Sequence, residues 1–156
     1  MLGVTTEMNA PYGAGPTAWA AWADALAGSK AAGLRCRNIS PGEAELVLEE
    51  SPLALNVNGA VHGGLVAYAV DQVMGIVVTS ALPEGQVAVT STLSMEYHWP
   101  ARLPLVFHGR ASRVGRAVAF IDVDVESDGR VCSRGRGSMV PRQAVPNLSA
   151  VSPNGT

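Results

Sequence analysis

The sequence predicts an α+β fold in which one antiparallel sheet wraps around one long central helix. Three observations carry that expectation. A single apolar segment, Gly64 to Leu82, has the length of a helix, about 25 Å or more at 1.5 Å per residue, and ends at Pro83-Glu84-Gly85, a turn suited to stopping one. Segments of strand character lie on either side of it, at Glu43 to Glu50, Val87 to Tyr97, Leu105 to Arg113, Ala117 to Ser127 and Arg130 to Val140. The last three are joined through Val114-Gly115-Arg116 and Asp128-Gly129, turns so short that the strands they connect must be antiparallel, which makes the second half of the chain, from Val87 on, a meander.

The chain has 156 residues, enough for one domain that buries about two-thirds of the surface of its unfolded form. Residues 1–15, rich in Gly, Pro and Asn, are expected to be a flexible N-terminal segment, residues 16–142 a single domain, and residues 143–156 a flexible tail. From Pro16 to Ala32 the sequence is alanine-rich, with Trp19, Trp22 and Leu26 at spacings of three and four, so one face of a helix is apolar. That stripe suits core packing, with the lining of an acyl pocket as the alternative. After Gly33 the period changes, and Glu45, Val47 and Glu49 alternate against Ala44, Leu46 and Leu48 in a strand with one wet face. In the segment Gly64 to Leu82 apolar side chains occur all round, the mark of a helix enclosed on every side.

Composition narrows the function classes. With 47% apolar and 15% charged residues the chain is neither disordered nor a nucleic-acid binder. The segment Gly59 to Leu82 is long enough to span a membrane, but Asp71 and Gln72 sit near its centre, it contains several glycines and it lacks an aromatic belt, so no membrane association is expected. Cys36 and Cys132 have neither metal-ligand nor redox spacing, which indicates free thiols in a reducing compartment, with a cytoplasmic location expected. The N-terminus lacks the basic start and apolar core of a secretory signal. The net charge of −2 hides an asymmetry: residues 1–100 carry three basic and nine acidic side chains, whereas residues 101–156 carry eight, all arginine, against four. Arginine's planar fork suits phosphate, and solvated strand faces are the alternative use. No cluster of Cys, His and acidic residues has the spacing of a metal site, and His98 and His108 read as satisfied strand histidines.

The chemistry concentrates at Asp71 and at His62-Gly63-Gly64. A carboxylate within an apolar helix loses hydration, which disfavours its charged form unless a partner offsets the loss. Asp71 is therefore either a general base or nucleophile, or an interface residue hydrogen-bonded to backbone or Gln72. The glycine pair marks the helix start, where first-turn N–H groups lack internal partners and could stabilise a carbonyl oxygen gaining negative charge. Gly63 and Asp71 are eight residues apart, about 12 Å along one helix, whereas a base and an oxyanion donor must both reach one reacting group. The catalytic reading thus requires two antiparallel copies related by a twofold axis, with two equivalent shared sites.

The ordered set Asn56-x-x-Gly59-x-x-His62-Gly63-Gly64, Asp71, Val89-Thr90, Tyr97-x-x-Pro100-Ala101 and Val114-Gly115-Arg116 resembles the hotdog-fold acyl-CoA thioesterases of the phenylacetate-pathway and 4-hydroxybenzoyl-CoA type, over residues 43–140. The resemblance implies the hotdog fold, a homodimer or dimer of dimers, and hydrolysis of an acyl-CoA to free acid and coenzyme A, with coenzyme A entering as part of the substrate and no separate cofactor. It implies that Asp71 is the catalytic carboxylate, that Gly63 gives the polarising amide, that Asn56 orients water or the substrate carbonyl, and that His62 fixes the loop near the thioester. A hydroxyl assisting from the following strand falls at Thr90, with Ser91 and Thr92 as neighbours. Gly64 and the hairpin residues Arg113, Gly115 and Arg116 are implied as substrate-binding, the arginines at coenzyme A phosphates. One departure is visible: after Pro100-Ala101 the family commonly has glycine and an acidic residue, whereas this chain reads Arg102-Leu103-Pro104. A non-catalytic acyl-CoA-binding or regulatory module and a dehydratase acting on acyl-carrier-protein substrates are the alternatives on the same fold.

Overall fold

A computed structural model describes residues 9–144. The elements are α1 (Pro16–Ala25), α2 (Ala27–Ala32), β1 (Leu34–Ser40), β2 (Glu43–Leu48), α3 (Gly63–Ala81), β3 (Gln86–Tyr97), β4 (Leu105–Val114), β5 (Ala119–Ser127) and β6 (Arg130–Gln143). The strands form one antiparallel sheet in the order β1-β2-β4-β5-β6-β3. This is the expected sheet around a central helix. Of the ends expected to be flexible, residues 1–8 and 145–156 lie outside the described residues, and within 9–15 the Tyr12 ring meets Trp19 edge-on at 5.4 Å.

The alternation in the strands decides which face meets α3. Leu46, Leu48, Leu105, Phe107, Ile121, Val123 and Val125 are buried against α3 residues such as Val66, Val70, Val73, Met74 and Val77. The opposite face carries cross-strand ion pairs, Arg134 to Asp124 at 2.9 Å and Arg136 to Asp122 at 3.0 Å, which are too exposed to contribute much stability. Close approach of the helix depends on glycines in the sheet. A Cβ on Gly109 would stand 2.7 Å from Val73 Cγ1 and 2.8 Å from Val77 Cγ2, one on Gly135 would overlap Val70, and one on Gly137 would overlap both Met74 and the Thr92 carbonyl oxygen. Because that oxygen belongs to the neighbouring strand's backbone, Gly137 has no room to yield. Gly137→Ala is expected to destabilise the fold by about 1–3 kcal/mol, read as a lower urea midpoint; an unchanged midpoint would show that the helix can lift without cost.

Four expectations are corrected. The alanine-rich helix is broken at Leu26, whose backbone is extended (φ −58°, ψ 136°), so that α2 can turn onto α3, where Gln72 donates to the Ser29 hydroxyl at 3.1 Å and Tyr68 donates to the Gly28 carbonyl at 3.4 Å. An additional strand, β1, precedes Pro41-Gly42; a register shift between Cys36 and Asn38 blurs its period, and Asp24 of α1 ties it down through the Cys36 amide at 2.6 Å. The meander holds for β4, β5 and β6, but β3 crosses over to pair with β6, which leaves its other edge free. Finally, α3 is not enclosed on every side. Sheet and α2 cover most of it, while a stripe through Gly64, Tyr68, Asp71 and Gly75, one helical face, is left exposed or half-buried beside the free edge of β3.

Candidate active site

Asp71 lies midway along α3 on that uncovered stripe, half-buried, and the Thr90 hydroxyl donates to its Oδ1 at 2.7 Å. The expected competition among three neighbouring hydroxyls has a local solution. The register of β3 against β6 shifts between Thr90 and Thr92, and Thr92 turns to Ser138, with its Oγ 2.8 Å from the Ser138 hydroxyl and 3.1 Å from the Ser138 amide that donates to it. Thr90 therefore faces the carboxylate. Gln72 does not serve Asp71, because its amide is committed to Ser29.

Gly63 opens α3 at the other end of the stripe. His62 is the N-cap residue, its carbonyl accepts from the amides of Leu65 and Val66 at 3.0 Å each, and its side chain is exposed. The amides of Gly63 and Gly64 belong to the first turn, where the helix supplies no acceptor. Tyr97 donates to the Gly63 carbonyl at 2.6 Å, and its ring lies 3.2 Å from where a Gly63 Cβ would stand, so a methyl there would push the tyrosine back by a few tenths of an ångström. Burial raises the Tyr97 hydroxyl above its ordinary value near 10, which keeps it a neutral donor at neutral pH. At Gly64 a Cβ would meet nothing within 4 Å, so this position faces open space.

Asn56 reaches the same region from the loop before α3. Its Oδ1 accepts the amides of Asn58 at 2.9 Å and Ala60 at 3.1 Å, which identifies the oxygen and leaves the side-chain NH2 as the group available to a ligand. Asn56, Gly63, Tyr97, Trp99 and Pro100 line one cleft of about 410 Å³. Asn56 and Gly63 are thus brought together within one chain, whereas Asp71 and Thr90 form a second group further along α3 that does not line this cleft. The implied binding residues Arg113, Gly115 and Arg116 sit at the β4–β5 turn, with Arg113 opposite Phe120 and the Gly115 amide donating to the Val118 carbonyl at 2.9 Å; they line neither group.

Tyr97 and Trp99 are the residues that the sequence reading quoted or passed over without a role. Their signal was the aromatic pair at the end of β3, Tyr97-His98-Trp99-Pro100, ahead of a cis Leu103-Pro104 bond. Neither thiol offers a nucleophile: burial and the Asp24 charge push Cys36 up to about 11, and burial raises Cys132 as well. No group of His, Cys, Asp and Glu capable of holding a metal occurs among the described residues. Chemically, the arrangement offers a carboxylate backed by a hydroxyl and, about 12 Å away along α3, an amide donor with an adjacent carboxamide.

Comparison with known proteins finds similar sequences and folds. Residues 58–133, from the loop ahead of α3 into β6, match the model of the thioesterase superfamily. An esterase-like protein of Halobacterium salinarum is 38% identical over 69 residues, which cover 43% of this chain and 46% of that protein, so the chain spans about half the length of the curated relative it matches. A Streptococcus mutans protein solved with acetyl-CoA is 26% identical, with a TM-score of 0.64 over 70% of this chain and 89% of that one. A phenylacetic acid degradation-related protein of Ralstonia eutropha shares the fold at 24% identity, with a TM-score of 0.67 over 72% of this chain and 87% of that one. Over residues 58–133 the chain is thus similar to the thioesterase superfamily, and its architecture is the one these hotdog-fold proteins share.

Proposed function

We propose that the protein is an acyl-CoA thioesterase that works as a homodimer, each site combining Gly63 and Asn56 of one subunit with Asp71 and Thr90 of the other. The observation that carries this reading is the Asp71–Thr90 pair, set on the stripe of α3 that its own chain leaves uncovered. One twofold axis passing beside Ala67, midway between Gly63 and Asp71, brings the partner's Asp71 to Gly63 and creates the second site at the same time. The strand agrees with the helix. Thr90 stands at Asp71 and Tyr97 at Gly63, so the same axis pairs Thr90 with the partner's Tyr97 and crosses β3 between Leu93 and Ser94. Val87, Val89, Leu93 and Tyr97 on β3, and Tyr68 on α3, are exposed as this pairing requires.

In this site the substrate's thioester oxygen accepts the Gly63 N–H, strengthened by the helix N-terminus, and the Asn56 amide orients the carbonyl or the incoming water. The partner's Asp71 takes a proton from that water as its oxygen bonds to the carbonyl carbon. The tetrahedral intermediate collapses, the carbon–sulfur bond breaks, and the thiolate of coenzyme A receives the proton. In the covalent variant Asp71 itself attacks, forming an anhydride that water then opens. Thr90 holds the carboxylate in place in either case. Coenzyme A is then part of the substrate and no separate cofactor enters the reaction.

Release of free thiol from a panel of aryl, short, medium and long acyl-CoAs tests the reading, which expects turnover of at least one class. Tight binding without release would instead mark a non-catalytic acyl-CoA module, and water elimination from a 3-hydroxyacyl substrate a dehydratase.

A further inference from the structure

Next to the cleft of Asn56 and Gly63 lies a second one that no step above uses. It measures about 260 Å³ and is lined by Trp99, Pro100, Arg102, Ser127, Asp128, Arg130 and Cys132. Trp99 and Pro100 line both clefts, so the two are neighbours across a single indole. That indole is 55% exposed, an unusual position for tryptophan, and the Arg130 guanidinium lies over its ring at 4.5 Å from the centroid. The amides of His98 and Trp99 both donate to the Cys132 carbonyl, at 2.8 and 3.1 Å, which fixes the indole's backbone on β6. The Ser127 hydroxyl likewise clamps Arg102, accepting its amide at 3.1 Å and donating to its carbonyl at 2.7 Å.

Arg35, Arg37, Arg134 and Arg136 each hold a carboxylate, whereas Arg102 and Arg130, like Arg110, Arg113, Arg116 and Arg142, are in no ion pair among the described residues. What sets this cleft apart is that its free guanidiniums flank an exposed indole, with Arg130 over the ring. The single carboxylate in the cleft, Asp128, leaves it with one net positive charge. Ser127, Asp128 and Arg130 set the cleft at the β5–β6 turn, and β6 lies one strand inside the free edge of β3.

We propose that Trp99, Arg130 and Arg102 bind the nucleotide end of the substrate: the purine stacks on the exposed indole and the phosphates meet the two guanidiniums. This rests on the thioesterase reading and deepens it, because it makes the substrate a free acyl-CoA and not a thioester carried on a protein. A carrier protein presents phosphopantetheine without a purine, and an exposed indole clamped by a guanidinium has nothing to stack on in that case. The stack is a flat, base-sized platform, and the unpaired arginines beside it suit phosphate oxygens through bidentate contacts.

The test compares acyl-CoA with the matching acyl-pantetheine, which lacks the nucleotide. Arg130→Ala and Arg102→Ala are expected to raise KM for acyl-CoA about tenfold or more with kcat little changed, and to leave acyl-pantetheine turnover as in the unaltered protein, which also shows that the variants fold; Trp99→Ala, whose indole also borders the Asn56–Gly63 cleft, is expected to raise KM more for acyl-CoA than for acyl-pantetheine. Arg113→Ala and Arg116→Ala serve as the competing arm. Equal KM effects on both substrates, or a nucleotide-dependent rise confined to the Arg113 and Arg116 variants, would overturn the assignment, as would turnover of acyl-carrier protein but not acyl-CoA. If the unaltered protein cleaves no thioester, the thioesterase reading fails on its own. The cleft is then tested by coenzyme A quenching of tryptophan fluorescence, expected in the unaltered protein and lost in Trp99→Phe; no quenching would end the proposal.

Discussion

Asp71→Asn lowers kcat by about 10²–10⁴-fold while KM for acyl-CoA changes little, the range expected when a positioned proton acceptor or nucleophile is removed. The substitution is nearly isosteric, and the remaining carbonyl oxygen still accepts the Thr90 hydroxyl that now lies 2.7 Å from Oδ1, so the loss is one of chemistry and not of folding. Asp71 is half-buried and not in the core, which makes the same point from the other direction. Thr90→Val separates positioning from chemistry: it removes the donor, keeps the branched shape that suits a strand, and is expected to lower kcat by about tenfold or less. Initial rates of thiol release at saturating substrate check both. Turnover in Asp71→Asn within threefold of the unaltered protein would remove Asp71 from the mechanism.

The fold was legible where the chain states its periods strongly. The run from Gly64 to Leu82 and the two tight turns, Val114-Gly115-Arg116 and Asp128-Gly129, determine α3 and the β4–β5–β6 meander almost to the residue. What escaped was decided by contacts remote in sequence. The break at Leu26 exists because Gly28 and Ser29 must meet Tyr68 and Gln72, 40 and 43 residues later. Strand β1 hides because its bulge resets the alternation, and β3 joins β6 because a seven-residue connection leaves both partners open to it. The uncovered stripe of α3 was misread for a related reason: apolar residues all round a helix do not say which of its sides its own chain covers. At the site, Asp71 and the glycine pair stood out as anomalies of composition, whereas Tyr97 and Trp99 looked like ordinary strand-end aromatics until their neighbours, Gly63 and Arg130, were known.

The shared-site geometry makes the most demanding prediction, because it requires two dead proteins to make a live one. In the proposed dimer, Asp71→Asn removes the carboxylate that one subunit lends to its partner, and Gly63→Ala disturbs the amide turn of the receiving subunit by setting a Cβ 3.2 Å from the Tyr97 ring. Each homodimer then has both sites damaged. In a heterodimer the two lesions fall in the same site, and the other site pairs an intact Gly63 with an intact Asp71. Random reassortment makes half of the dimers mixed, each with one working site of two, so the mixture is expected to recover about a quarter of normal activity from components with almost none. Co-expression with two different tags, followed by sequential purification of the mixed dimer, raises the expected value to about half, which removes any dependence on how fast subunits exchange. Leu93→Lys, beside the proposed axis on the free edge of β3, is expected to place like charges opposite each other and abolish recovery together with dimer formation, read by gel filtration. Mixed dimers as inactive as their parents would mean that Gly63 and Asp71 serve no common site, and a fully active monomer would mean that neither needs a partner.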